Sequence, residues 1–358
     1  MLVDGPRVAR ARGSALSKKT RGPSSLRARI YGVNPWRAFR VVLLQSCLLL
    51  AASGLVHAGE RYALIVTGAS GGPQYAEKYD QWRSEFVQLL QGPLGYPEDH
   101  VLVLAEEEFA GAQKATRDNV RSAVANLRQH ASKDDVVLVV LVGHGSGADA
   151  GEAKFNLVGP DLSAHEWAEL LAPVPGRLVF INTASGSFPF IQELSAKNHV
   201  VITANDSPAQ SFETVLPQFL LAAFKDGAAD LDKNSRTSIW EAFAFVSARV
   251  HDWFDQRAQL ATEHPMLDDD GDGVGHLVDD QGTDGPLARV TYLRADAPVT
   301  DTGDPERTSM LRRRADLNTA LEELRARKST MPPDEYDTAL EKLLLELARI
   351  DRALKSRS

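Results

Sequence analysis

Residues 136–142, VVLVVLV, set seven apolar side chains in an unbroken row between the pair Asp134-Asp135 and Gly143. A strand with one face in water alternates polar and apolar residues, whereas a strand with no polar position must be covered on both faces. That condition calls for a sheet with helices on either side. The neighbouring sequence supplies them. RYALIVTG reads as a strand, YAEKYDQWRSEFVQLLQ as a helix, HVLVLAE as a strand and ATRDNVRSAVANLRQHA as a helix. After the apolar run come a short helix (EWAELLAPV), a strand (RLVFINTA), a helix (PFIQELSA) and a strand (HVVITAN). Such alternation implies an α/β domain with a mostly parallel sheet, and function in these sheets gathers where the strands end at their carboxyl side.

After Asn205 the texture turns helical, in ETVLPQFLLAAFKDG and SIWEAFAFVSARVHDWFDQRAQLA. Residues 281–308 read as a linker rich in Gly, Asp and Thr with one candidate strand, ARVTYL. In the tail, Tyr336, Leu340, Leu343, Leu347, Ile350 and Leu354 step by four and three like a coiled-coil seam. Leu317, Leu321 and Leu324 offer a matching stripe, and Met331-Pro332-Pro333 separates the two. Residues 309–358 therefore read as a helical hairpin, a stabilising appendage that can also pack on a second copy.

The start of the chain is of another kind. Residues 1–40 carry ten Lys or Arg and one acid, Asp4, and are followed by an apolar run ending at Val56-His57-Ala58. A basic region, a short apolar stretch and small residues at −3 and −1 describe an export signal over residues 1–58, cleaved after Ala58. The apolar run is too short for a membrane span. A lipid anchor at Cys47 is the competing reading, although the apolar stretch continues past that cysteine. Cys47 is the only cysteine, so processing after Ala58 leaves neither thiol nor disulfide. It also removes ten of 40 basic residues and one of 48 acids, leaving a net charge near −17. Such an envelope favours cations over nucleic acid and suits a periplasmic or secreted protein.

Three stretches could carry chemistry. VTGASGG, residues 66–72, imitates a dinucleotide loop and also the G-x-S-x-G elbow around Ser70. The context is wrong for both, because Pro73 follows at once and this is the first strand of the domain. A tight turn lining the site, with no nucleotide, is the reading. His144 stands where the apolar strand ends, with Gly143 and Gly145 beside it. Those glycines allow close approach of a substrate and leave the Gly145 N–H for an oxyanion. The next long strand ends in Asn182-Thr183-Ala184-Ser185-Gly186-Ser187, offering Thr183, Ser185 and Ser187 as hydroxyls. A histidine and a nucleophile on adjacent strand ends suit base-activated attack.

A strand ending in His-Gly, followed by a strand ending in Thr183-Ala184-Ser185-Gly186-Ser187, resembles the signature of the caspase and legumain superfamily. SFETVLPQFLLAAF, DLDKNSRTSIWEAF and ATEHPMLDDDGDGVG extend the resemblance to bacterial legumain-like proteins over residues 60–280. It implies a caspase-like domain over 59–280, with His144 as acid or base and Gly145 and the Ser185 N–H as oxyanion donors. Ser185 stands at the cysteine position, and the chain departs from the family there. A thiol is partly ionised at neutral pH, whereas a serine hydroxyl needs its proton removed in the transition state. Two functions follow: a peptide-bond hydrolase using Ser185 and His144, or an inactive pseudopeptidase that binds a peptide or protein partner. A calcium-dependent adaptor in which the sheet is only scaffold is a third.

Two acidic loops complete the reading. Asp230, Asp232, Asn234, Ser238 and Glu241 fall at EF-hand spacing over residues 230–241. Asp268, Asp270, Asp272 and Asp279 make a second match over residues 268–279. Oxygen-rich spacing points to structural calcium, against the plainer reading of solvated Asx-turned loops. Trp82, Trp167, Trp240 and Trp253 sit at helical spacing with other apolar residues and belong to the core. Asp161 or Ser163 is expected as an N-cap.

Overall fold

The computed structural model describes residues 59–294 apart from 147–151, 208, 209, 211, 226, 235 and 281, and residues 304–356 apart from 327, 329 and 330. The expected leader with Cys47 and Ala58, and residues 295–303 of the expected linker, lie outside the described residues. The strands in chain order are β1 (Arg61–Thr67), β2 (Val101–Ala105), β3 (Gln113–Lys114), β4 (Val136–Val142), β5 (Gly145–Ser146), β6 (Lys154–Phe155), β7 (Leu162–Ser163), β8 (Arg177–Asn182), β9 (His199–Thr203) and β10 (Met266–Asp268). Helices α1 (Pro73–Gln91), α2 (Arg117–His130), α3 (Ala164–Leu171) and α4 (Pro189–Leu194) connect them. Then come α5 (Leu216–Phe224), α6 (Ile239–Asp255), α7 (Pro286–Arg289), α8 (Pro305–Ala326) and α9 (Pro333–Lys355).

The chain is an α/β protein whose main sheet has the order β10-β9-β8-β4-β1-β2-β3. All neighbours are parallel except β10, which runs antiparallel to β9. The apolar run is β4, in the middle of the sheet and buried at all seven positions. Its side chains divide by parity. Val136, Leu138, Val140 and Val142 join Trp82 and Phe86 of α1, Leu220 of α5, and Phe243 and Val246 of α6. Val137, Val139 and Leu141 face Val120 and Leu127 of α2, Trp167 of α3, and Phe190 of α4. Period-two alternation thus feeds two cores from one strand, each buried Val or Leu contributing about 1.5–3 kcal/mol.

Side-chain caps start several helices. Thr116 accepts from the Asn119 N–H at α2. Ser163 and Glu166 form a capping box at α3, which settles the choice between Asp161 and Ser163; Asp161 accepts instead from the Leu157 N–H. Trp82 and Trp167 are buried, and Trp240 and Trp253 pack partly buried on the core.

The structure departs from expectation in three places. The expected strand ARVTYL is not one: Pro286–Arg289 is a turn of helix, and Tyr292 makes only an isolated bridge to Ser238. The reason is the Asp269 carboxylate, which accepts from the Gly285 and Ala288 N–H groups and so caps a helical turn. Strand β10 lies at the start of the second acidic loop, where no strand was read. A small antiparallel sheet, β5-β6-β7, follows His144 directly.

In the tail, α8 and α9 fold back on one another. Leu317, Leu321 and Leu324 are buried, and Arg313–Glu346 and Arg314–Asp351 ion pairs bind the two helices. Tyr336 and Leu354 are buried at the ends of the α9 seam, while Leu340, Leu343, Leu347 and Ile350 are half-buried. Leu344 and Leu345 face outward.

Double-sided burial of β4 makes a direct prediction. Leu138→Ala, at a position 2% exposed, lowers unfolding stability by about 2–5 kcal/mol in urea titration. Leu260→Ala, at a position 91% exposed, changes it by less than about 0.5 kcal/mol. Equal effects of the two would contradict this account of the core.

Candidate active site

Parallel pairing of β4 with β8 brings the two candidate groups to one end of the sheet. Leu141 lies opposite Asn182, and both the Thr183 N–H and its hydroxyl donate to the Leu141 carbonyl. His144 and Ser185 therefore leave adjacent strands at the same level. Gly145 passes so close to the Ser185 turn that a Cβ there would stand 2.1 Å from the Ser185 carbonyl oxygen. Only glycine fits. The Gly145 N–H donates to the Ser185 Oγ at 3.4 Å, near the long limit for such a bond.

Of the three hydroxyls in the turn, two are taken up by neighbouring groups. Thr183 holds Leu141, and the fully buried Ser187 donates to Asn205 Oδ1 and accepts from the Ala204 N–H. Ser185, 4% exposed, has only the long contact from the Gly145 N–H among the described residues. Among the described residues its hydroxyl has no bond to the His144 ring.

The imidazole is held by groups on the other side. Its Nε2 lies 3.1 Å from the Ser70 carbonyl oxygen and 3.1 Å from the Tyr79 hydroxyl. A carbonyl can only accept, so the geometry calls for a proton on Nε2, and a neutral ring then has its lone pair on Nδ1. Tyr79 is 3% exposed, and burial drives its phenol well above the usual range, so it stays neutral. Tyr75 sets its ring edge-on to the imidazole, with centroids 4.8 Å apart. The turn 66–72 thus lines the site through the Ser70 backbone, with Gly71 supplying a left-handed φ of 72°. The tyrosines were not singled out in the sequence. Their four-residue spacing on α1 marks a shared helix face but not what that face meets.

The acidic loops only partly assemble as their spacing suggests. Asp230, Asp232 and Glu241 each bring a carboxylate oxygen within 4.8 Å of the others. Ser238 and Asn234 are used otherwise. Ser238 is the N-cap of α6, and Asn234 Oδ1 accepts from the Arg236 N–H. Glu241 accepts from the Leu231, Asp232 and Ser238 N–H groups and from the Ser238 hydroxyl, so it closes the loop through the protein itself. In the second loop the group that forms is Asp268, Asp270 and Asp284. Asp272, expected there, instead accepts from the Val274 N–H, and Asp279 lies outside the group. The cause is the bridge between Leu267 and His276, which folds the chain back so that Asp284 reaches the loop. Three carboxylates are fewer than the six to eight oxygens calcium takes, so water or carbonyls would complete either shell.

Two cavities of about 260 and 380 Å³ lie elsewhere, one at the amino ends of β1, β4 and β8 and the other beside β2; neither is lined by His144 or Ser185.

No protein-family model matches the chain, and no curated protein matches it. Among solved structures it is similar to protein GSU0716 from Geobacter sulfurreducens, known by a crystal structure. The likeness has a TM-score of 0.39 and 13% identity, and covers 58% of this chain and 92% of that one. It carries no argument about function.

Buried acids make stability depend on pH. Desolvation pushes Glu263 up to about 8 and Asp284 up to about 6, and the bond to Asp284 raises His276. In each case the folded chain binds the proton more tightly than the unfolded chain. That advantage is whole below each group's ordinary value, the carboxyl range for the two acids and the imidazole range for His276, and is lost as pH rises through the folded values. The melting temperature should therefore fall between pH 5 and 9, and Glu263→Gln should flatten the step near pH 8. A flat wild-type profile would overturn the assignment.

Proposed function

We propose that this chain is an exported, caspase- and legumain-like protein. Its cleft at the carboxyl ends of β4 and β8 binds an extended peptide or a partner protein without cleaving it efficiently. The observation that carries the reading is the state of Ser185. Its hydroxyl accepts from the Gly145 N–H at 3.4 Å, a contact that turns it toward the oxyanion donor and away from the imidazole. An oxygen nucleophile depends on its base far more than sulfur does. The sequence supports export through its leader pattern and supports the family resemblance through the His-Gly and Ser-Gly-Ser strand ends.

A second reading, a slow serine hydrolase, is favoured by one feature. The Ser70 carbonyl holds the Nε2 proton, so Nδ1 keeps the lone pair a general base needs. In that mechanism Nδ1 takes the Ser185 proton as Oγ attacks the scissile carbonyl. The Gly145 and Ser185 N–H groups then receive the oxyanion.

Purified protein is offered a peptide mixture, together with Ser185→Ala, His144→Ala and Ser185→Cys. The binding reading expects peptide capture by wild type and Ser185→Ala alike, with negligible turnover. Ser185→Cys should raise cleavage at least tenfold, because the thiol needs less help. Cleavage by wild type that is abolished in both alanine variants would replace binding by hydrolysis.

Structural calcium belongs to the same proposal, supported by the two carboxylate groups, as does self-association through the outward Leu344 and Leu345. Calcium at millimolar concentration should raise the melting temperature by several degrees, and Asp268→Asn with Asp270→Asn should abolish its share of the rise. No rise at 5 mM calcium, set as roughly a hundredfold excess over a moderate dissociation constant, would remove calcium from the proposal.

A further inference from the structure

Described residues after β9 run beside the Ser185 turn, and their bonds converge on one buried acid. Glu263 lies between α6 and β10 and is 2% exposed. Its Oε2 accepts from the Val215 N–H at 2.7 Å and its Oε1 from the Leu216 N–H at 2.8 Å. These amides open α5. The residue before them, Thr214, donates its hydroxyl to the Thr183 carbonyl, at the root of the Ser185 turn. One residue earlier, Glu213 pairs with Lys78 at 2.6 Å. Lys78 stands on α1 between Tyr75 and Tyr79, the two rings against His144. Further back, the Gln210 carbonyl accepts from the Gly186 N–H at 2.8 Å. His264, next to Glu263, pairs with Asp206 at 3.3 Å. Consecutive residues 263 and 264 thus grip both ends of that segment.

We infer that Glu263 is the positioning residue of this cleft. By fixing the amides of Val215 and Leu216 it holds Thr214 on the Ser185 turn and Glu213 on the helix that carries the tyrosines around His144. The inference rests on the reading of that cleft as the binding site, and Glu263 itself touches no bound peptide. A helix start can be capped by a Ser, Thr or Asp from its own sequence. Here the cap comes from 47 and 48 residues along the chain, and an acid is buried to make it. Local capping explains neither. A long-range tie between the two segments explains both, and desolvation pushing the acid up to about 8 is the mark of that burial.

Hydrogen exchange of the full chain tests the relay in three segments: 182–188 with the Ser185 turn, 213–220 with the start of α5, and 61–67 in β1. Glu263→Ala should lower protection at least tenfold in the first two and leave β1 within twofold. Glu263→Gln, which keeps one acceptor oxygen, should restore part of it. Thr214→Val should loosen 182–188 while leaving 213–220 protected, because it cuts the relay beyond the clasp. If Glu263→Ala loosens only 213–220, or Thr214→Val leaves 182–188 unchanged, Glu263 is a helix cap and the inference fails. If Glu263→Ala loosens β1 as well, the Thr214→Val result alone decides. Peptide capture separates the two claims: a wild-type protein that shows this exchange pattern but captures no peptide retains the relay and loses the binding reading.

Discussion

The rest of the structure depends on the burial of β4 on both faces. Seven apolar residues in a row cannot meet water on either side, so the chain must place helices above and below them. With β1 and β8 paired alongside, the strand sets the register of everything at its carboxyl end. His144 follows β4, Ser185 follows β8 and Ser70 follows β1. Three adjacent strand ends therefore deliver an imidazole, a hydroxyl and a carbonyl to one place. The site results from how the sheet is packed; no local motif builds it.

At that place the two side chains are held differently. The imidazole is well prepared: its Nε2 proton has a carbonyl to rest on, and a neutral tyrosine fixes its plane. The hydroxyl is not, since its contact is with the Gly145 amide. The two side chains thus leave adjacent strand ends but take their hydrogen bonds from different neighbours. Glu263 fits this picture as a structural investment in the segment beside the Ser185 turn.

In the acidic loops the carboxylates also bond to the protein's own amides and hydroxyls. Glu241 accepts four hydrogen bonds from its own loop and cap. In the second loop, Asp268 is buried and accepts from Ser195 and Gly273, and Asp269 caps α7. Carboxylates there serve backbone amides first, and three of them still converge.

Much of the architecture was legible because it follows from local periodicity. The apolar row at 136–142, the alternating strands and helices, the capping of α3 and the seam of α9 are patterns that a short window of sequence contains. So are the two strand ends with His144 and Ser185. What could not be read was which distant residues meet. Tyr79 against His144, Glu263 beneath the amides of Val215 and Leu216, and Asp284 in place of Asp279 all pair groups many residues apart. The failed strand at ARVTYL belongs here too, since a carboxylate 16 and 19 residues upstream decided it. Sequence alone determined the class of fold and the strands that end in His144 and Ser185, because burial periodicity is a local property. Tertiary structure decided the tautomer of His144, the resting partner of Ser185 and the anchoring of the segment beside its turn, because hydrogen bonds between remote segments exist only once the sheet has brought them together.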